Sequence, residues 1–521
     1  MRGNVVIAII TVGIISGCMV GPTYEKPKPP MEKKFGEKSA NISTNEPATH
    51  WWKTFNDPEL NRLITEALRT NYDLRIATER IREARLQRSI TAADLFPNID
   101  ADAGYAHARG SKNVVLPLGG SSGSGSGTGA SSGASGGSGK STGVTPKLSS
   151  PGSGASQNDT AFDNQLSPFG KGGLPGVDTD LYQVGFDATW EIDVFGGTRR
   201  RIEAATAQVQ SAIEERRNLE VTMLGEVARN YLDFRGTQQR LQIARDNLAS
   251  QREIVRLTRS MQTNGLATDL DVSQASAQAD TTAATIPPLE FQTRRLIHAL
   301  SILLAQEPNA LGVELEATNL AFGAAPEIPV GLPSQLLERR PDIREAERQI
   351  AAGTANIGVA TADLFPKFAL VGTAGLDSTT AEHLFDWESR YFLISPTVSW
   401  RIFDAGRIKS NIKLQTATRD EAVLQYRNTI LKALQEVEDA IAAYSTEQAR
   451  RARLTEAVAQ SKQTVTLAQE QYDHGLATFI NVLDAERTVF SGQDALAQST
   501  EAVSTDVVAL YKALGGGWSG Q

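Results

Sequence analysis

Cys18 is the only cysteine in the 521-residue chain, so no intrachain disulfide can form and its thiol is left for other chemistry. It is preceded by Arg2, an apolar run from Val5 to Ile15, and the small pair Ser16-Gly17. That order is a secretory signal peptide's, and the apolar run is about half the length of a membrane-spanning helix. Residues 1–17 are therefore expected to be removed. Ile15-Ser16-Gly17-Cys18 resembles the bacterial lipobox, in which the cysteine is acylated and becomes the first residue of a lipid-anchored mature protein.

Other reactive patterns fall away on inspection. Ala134 to Thr142 reads ASGGSGKST, close to a phosphate-binding loop, but a working loop needs a hydrophobic strand before it and a helix after it. Here both flanks are Gly/Ser-rich, and Ala134 stands where the first glycine belongs. His50, His107, His298, His383 and His474 have no metal-ligand spacing, and no nucleophile elbow or carboxylate pair in a cleft is evident. The expectation is a protein without catalytic residues, metal or cofactor: not an enzyme. A formal net charge of -8 with no concentrated basic face argues against a nucleic-acid partner.

Internal repetition organises the chain. Asp73-Leu74-Arg75 returns as Asp342-Ile343-Arg344 and Ala93-Asp94-Leu95-Phe96-Pro97 as Ala362-Asp363-Leu364-Phe365-Pro366, both 269 residues later. Gly265-Leu266-Ala267-Thr268 returns as Gly475-Leu476-Ala477-Thr478 only 210 later, which leaves 59 extra residues in the first copy between Pro97 and Trp190. Residues 119–156, almost entirely Gly, Ser, Ala and Thr, are the core of that insert and have the composition of a flexible loop. The layout expected is an arm over 18–50, a first repeat over 51–305, a linker over 306–333 and a second repeat over 334–521.

Each repeat carries strands with strict alternation. Tyr182, Val184, Phe186, Ala188, Trp190, Ile192 and Val194 are apolar, against Gln183, Gly185, Asp187, Thr189, Glu191 and Asp193. Phe392, Ile394, Val398, Trp400 and Ile402 repeat this against Ser395, Thr397, Ser399 and Arg401, with weaker partners near 98–108 and 367–376. Such segments match membrane β-barrel strands, with Tyr182, Phe195, Tyr391 and Phe403 as girdle candidates and Asp187, Glu191 and Asp193 facing a wet lumen. Four strands cannot close a barrel, and an open edge in lipid leaves backbone groups unsatisfied, so the strands demand oligomerisation.

The rest is helical. Thr198 to Thr263 contains no proline, with Gly225 and Gly236 as weak breakers, and Arg407 to Tyr472 contains neither residue. Each can run as about 100 Å of helix. Val227, Phe234, Leu241, Leu248 and Val255 are spaced by seven, as are Ile430, Val437 and Tyr444, then Val458, Val465 and Tyr472, with Arg451 interrupting. That is a coiled-coil seam. Return helices are expected near 269–304 and 479–513, the first kinked or broken at Pro287-Pro288.

Cys18 to Tyr24 (CMVGPTY), Trp51-Trp52 with Phe55, Asp57 and Pro58, Arg339-Arg340-Pro341-Asp342, and Asn481-Val482-Leu483-Asp484-Ala485 together resemble the outer membrane efflux factors, the TolC-like family, in its NodT-like lipoprotein branch. The resemblance spans nearly the whole mature chain. It implies an α+β membrane protein: a homotrimer in which each protomer gives four strands to one outer-membrane β-barrel, continued by a long coiled-coil α-helical periplasmic barrel. The passive duct would export small toxic compounds or drugs delivered by an inner-membrane RND-type transporter and a periplasmic membrane-fusion adaptor. Met19, where inner-membrane lipoproteins often carry Asp, points the lipid anchor to the outer membrane. By motif, Asp484 matches an acidic ring residue at the periplasmic gate, Asp271 and Tyr472 match a latch between hairpins, and Asn481 stands where many relatives carry a second acid. Gly265, Leu266, Ala267 and Thr268 with Gly475, Leu476, Ala477 and Thr478 resemble adaptor-docking tips, and glycine also simply terminates helices there. Two other readings stay open: a duct for polypeptide secretion, and a periplasmic coiled-coil tether without a pore.

Overall fold

The computed structural model describes residues 19–30, 35–36, 42–43, 49–109, 178–317, 328–329 and 333–518. Cys18, segment 1–17 and the 119–156 insert lie outside the described residues. The chain forms two compact units: a helical one made of Met1–Ala93, Asp193–Phe365 and Arg401–Gln521, and a sheet made of Asp94–Ile192 and Pro366–Trp400.

In the helical unit, α1 (Pro58–Thr70) and α2 (Tyr72–Ala93) precede the long α3 (Gly197–Thr263) and its return helix α4 (Asp269–Leu303). After the short α5 (Gly312–Ala317) and α6 (Leu336–Arg339), α7 (Pro341–Ala362) precedes the second long helix α8 (Arg407–Asp473) and its return helix α9 (Phe479–Ala513). Both long helices have 67 residues and both return helices 35. The seven-residue spacing marks the buried face: Val227, Phe234, Val437 and Tyr444 are at most 1% exposed. Burying each such side chain stabilises the packed state by about 1.5–3 kcal/mol.

Local chemistry starts these helices where they start. Asp57 caps α1 by accepting from Glu59 N–H at 2.9 Å and Leu60 N–H at 3.1 Å, with Pro58 in the first turn, where its missing N–H costs nothing. Gly196 (φ +80°) and Gly406 (φ +86°) occupy left-handed backbone just before α3 and α8, a conformation a Cβ would strain. Asp193 is not a strand residue. Its carboxylate accepts from Thr198 and Arg199 N–H at 3.2 and 2.9 Å and caps α3, because the strand has already ended at Ile192.

Continuity is expected of the long helices, and breakage at Pro287-Pro288 is the expectation that needs revision. Pro287 and Pro288 lie inside a continuous α4 and do not break it. Two prolines remove two backbone donors, but the turns on either side stay anchored by buried Gln278, Thr282, Thr293 and Leu296. Gly225 and Gly236 leave α3 unbroken, as their weakness as breakers implies. They admit close neighbours: the Lys512 side chain lies 3.4 Å from where a Cβ of Gly225 would stand, and a Cβ at Gly236 would overlap the Glu501 carboxyl.

The N-terminal arm is stitched to the helical unit by polar contacts. Arg200, 1% exposed, donates to the carbonyls of Val20 at 3.0 Å and Gly21 at 3.2 Å. Tyr24 donates its hydroxyl to the buried Glu347 at 2.7 Å, and Ile42–Ser43 pairs in parallel with Ile328–Pro329 of the linker. Arg340 holds Asp342 through two hydrogen bonds (3.0 and 2.7 Å), Glu436 at 2.7 Å and the Ala513 carbonyl at 2.8 Å, fixing the start of α7 against α8 and the end of α9.

The sheet unit contains β1 (Asn98–Arg109), β2 (Asp178–Ile192), β3 (Lys367–Ser378) and β4 (Arg390–Ser399), all antiparallel in the order β1-β2-β3-β4. Register sorts most of the side chains by polarity, since directly paired residues share a face, with Val371 and Leu393 on the otherwise polar face and His107, Asp180 and Arg390 near the end of the apolar one. One face collects Ile99, Tyr105, Tyr182, Val184, Phe186, Trp190, Phe368, Leu370, Leu376, Phe392, Ile394 and Val398. The other collects Asn98, Asp100, Asp102, Gln183, Asp187, Thr189, Glu191, Thr373, Asp377, Ser395 and Thr397. Phe186, Phe392 and Ile394 are 61%, 80% and 69% exposed, so among the described residues nothing covers these parts of the apolar face.

That register corrects one girdle candidate, Tyr391. Tyr182 lies on the apolar face, its ring 4.9 Å from Tyr105. Tyr391 lies on the polar face, where its hydroxyl accepts from Gln183 Nε2 at 2.6 Å; Gly185 and Gly375 leave room for the ring. Phe195 and Phe403 lie beyond the strand ends, as do Trp400 and Ile402.

Candidate gate and docking tips

The two helical hairpins turn at the repeated Gly-Leu-Ala-Thr sequence. At the first tip, α3 ends with Gly265 in left-handed backbone (φ +72°), and Gly265 and Leu266 N–H donate back to the carbonyls of Gln262 and Met261, both at 2.9 Å. At the second, Gly475 (φ +68°) and Leu476 repeat the bonds to Tyr472 at 2.9 Å and Gln471 at 2.8 Å. Each pair closes orphan carbonyls at a helix end. The turns also point Leu266 and Leu476 outward, 73% and 79% exposed, while Ala267 and Ala477 are half-buried.

Downstream of the turns the hairpins differ. Thr268 and Asp271 form a reciprocal cap at the start of α4: Asp271 N–H donates to Thr268 Oγ1 at 3.2 Å, and Thr268 N–H and hydroxyl both donate to Asp271 Oδ2 at 2.8 Å. The matching positions in α9 are Thr478 and Asn481, and there Thr478 makes no side-chain cap; Asn481 N–H donates to its carbonyl at 3.0 Å. Asn481 and Asp484 are exposed one turn apart on α9, beside the buried Val482 and Leu483.

Of the predicted gate residues, Tyr472 and the start of α9 are brought together. The Tyr472 ring lies 5.4 Å from Phe479, and both join a small apolar cluster with Leu483, Ala275, Ile254 and Val255. That cluster ties α3, α4, α8 and α9 near the tips. Asp271 is engaged by its own helix start, so a partner elsewhere would have to compete with Thr268.

Groups with no signal of their own in the sequence lie where α9 packs against α3 and α4. Arg487 donates to Gln278 at 3.1 Å, Asn247 to Gln493 at 3.0 Å, and Arg240 to Asp494 at 2.7 Å. Glu486 lies beside a cavity of about 180 Å³ with Gln251 and Lys462, and burial pushes its carboxyl up to about 7. The one sequence signal was Gly236, a glycine in the middle of a helix, placed where Glu501 approaches.

No helix of the described residues is long and apolar enough to cross a membrane.

Comparison with known proteins agrees with this arrangement. The description "outer membrane efflux protein" matches residues 63–305 and 332–516. The solvent efflux pump outer membrane protein SrpC of Pseudomonas putida is 31% identical over 97% of this chain and 97% of its own length, and the antibiotic efflux pump outer membrane protein ArpC of the same species is 30% identical over 98% and 94%. Among solved structures, the outer-membrane channel OprN superposes with a TM-score of 0.79 at 31% identity, covering 96% of this chain and all of that one. Tall helical hairpins, an amphipathic four-stranded sheet and full-length similarity lead to one conclusion: this chain belongs to the outer membrane efflux protein family, a family of transport channels.

Proposed function

We propose that this efflux channel works as a homotrimer in which three four-stranded sheets close one twelve-stranded barrel, and six helical hairpins form a duct through the periplasm. The observation that carries the reading is the sheet itself: one apolar and exposed face, one polar and acidic face, and, among the described residues, no strand beyond β1 or β4. In lipid such edges are satisfied only by pairing with further strands. Acidic Asp100, Asp102, Asp187 and Glu191 would then line water.

On this reading the protein is a passive conduit and its two halves, 51–305 and 334–521, arose by duplication. Acylated Cys18 holds the arm in the outer membrane, and the 119–156 insert is an extracellular loop. Leu266 and Leu476, with the rest of the two Gly-Leu-Ala-Thr turns, dock the periplasmic adaptor of an RND-type pump, and Asp271, Tyr472, Asn481 and Asp484 form the periplasmic gate. The relatives named for solvent and antibiotic efflux support small, apolar or amphipathic toxic compounds as cargo.

The test is reconstitution of the purified, acylated protein in planar bilayers, together with gene disruption in its host. Discrete conductance steps from a detergent-stable trimer, and increased sensitivity to aromatic solvents and several antibiotics, are expected. A monomer without conductance would overturn the channel assembly; unchanged sensitivity would overturn the cargo class.

A further inference from the structure

Helices α3 and α9 run antiparallel, and the character of their seam changes along its length. Near Gly225 and Lys512 the surroundings are apolar: Leu224, Val227, Val507 and Tyr511 are all buried at 0% exposure. Toward the tips the seam becomes polar, through Arg240–Asp494, Asn247–Gln493 and Gln251 beside Glu486, and there α9 also bonds to α4 through Arg487 and Gln278. Asp233 and Glu501 stand at the boundary. The Glu501 carboxyl lies so close over Gly236 that no other residue type fits there unless that carboxyl moves.

We propose that Asp233 and Glu501 form a proton-operated lock between the two hairpins: one shared proton bridges α3 to α9, and its loss frees the polar part of the seam. The Glu501 carboxyl stands over Gly236, one helical turn after Asp233 on α3, which brings the two acidic side chains together, and two carboxyl groups in hydrogen-bond contact can bond only while one of them keeps its proton. Burial and then the Asp233 charge push Glu501 up to about 7, and burial raises Asp233 as well.

The surroundings moderate this without cancelling it. From α3, Arg240 faces Glu501 but is already paired with Asp494, and Arg229 pairs with Asp233 at 3.8 Å. On its own helix Glu501 meets Asp494, which disfavours a charge. From α8, Glu447 accepts from Ser499 at 2.5 Å, and burial followed by the Glu447 charge pushes Asp506 up to about 6. An excess of acid over base thus gathers around α9.

A carboxyl raised in the packed state contributes attachment that is complete below its ordinary range and is lost as pH rises through its packed-state value. For Glu501 that window runs from about 4.5 to about 7. The lock holds in acid and releases near neutrality. A bond between hairpins is a property of the fold alone; any effect on conductance rests additionally on the channel reading.

The experiment is amide hydrogen exchange of the full-length protein in detergent at pH 5, 6, 7 and 8, corrected for intrinsic exchange, on peptides covering 230–250 and 484–502. Wild type is expected to open more readily as pH rises to 7, by up to about tenfold per unit, with no further change above. Glu501→Gln and Asp233→Asn, which keep a hydrogen-bonding amide in place, are expected to flatten that dependence while leaving the spectroscopic helix content intact. Flat exchange in wild type, or an unchanged slope in folded Glu501→Gln, would overturn the lock. Single-channel recording across the same pH range separates the two ideas: a pH-dependent seam with constant conductance leaves the lock standing and removes its role in gating.

Discussion

Trp51 and Tyr511 stack face to face, ring centroids 5.3 Å apart and planes 12° from parallel, which joins the segment entering α1 to the end of α9. Trp51 is 1% exposed and Tyr511 fully buried. Trp51→Ala should cost about 3–5 kcal/mol, the usual range for emptying so large a buried site. Thermal melting followed by circular dichroism checks this, and a shift no larger than that of a surface substitution would be inconsistent with the stack.

Arg200 should decide whether the N-terminal arm stays attached. Its guanidinium serves two arm carbonyls and Glu203 from a position almost sealed from water. Arg200→Met keeps the bulk and removes the donors, leaving buried acceptors unpaired at a cost on the order of 3 kcal/mol. Limited proteolysis is expected to cut within 19–30 in the variant and not in wild type.

The helices were readable because the long spans lack the residues that end helices and because their apolar positions recur every seven. The strands were readable from alternation, but their faces were not, since a face is fixed by the partner strand. Tyr391 therefore resembled a lipid-side aromatic until pairing with Gly375 put it on the polar side. The Asp233–Glu501 contact was illegible for a similar reason. A glutamate on an amphipathic helix looks solvated unless the helix packed against it is known, and the two residues lie 268 positions apart.

The capping positions Asp271 and Asn481 differ by one atom group that can be exchanged. Asn481→Asp would give Thr478 the reciprocal cap that Thr268 has with Asp271. Hydrogen exchange at 478–483 should slow about fivefold, equivalent to roughly 1 kcal/mol. Unchanged exchange would mean that the start of α9 is already held by something other than its cap.

Acidity should stabilise the helical unit. Burial pushes Glu345, Glu486 and Glu501 up to about 7 and Asp506 up to about 6. Each contributes stability that is complete below its ordinary range and is lost as pH rises through those values. Glu347 works in the opposite direction: burial is outweighed by the Tyr24 hydroxyl and Arg348, its carboxyl falls below the ordinary range, and its contribution is lost only in strong acid. The melting temperature is expected to peak near pH 5 and to decline toward pH 8, with Glu486→Gln shallowing the decline.

Adjacent positions on β4 offer a test of sidedness. Ile394 lies on the apolar face and Ser395 on the polar one. Ile394→Arg should cost about 2–4 kcal/mol in lipid and deplete the heat-resistant oligomer from outer-membrane fractions, while Ser395→Arg should leave it intact. Equal behaviour of the two would contradict the assigned faces.

On the proposed channel reading, the outer rims of β1 and β4, which pair with no strand among the described residues, impose an order on biogenesis. A solitary copy entering a bilayer would expose two rows of unmet amides to hydrocarbon, so insertion cannot run ahead of the meeting of copies. Abundance at the membrane surface then governs how fast finished pores accumulate. A greasy tether at the amino terminus would speed that encounter by confining the search to two dimensions.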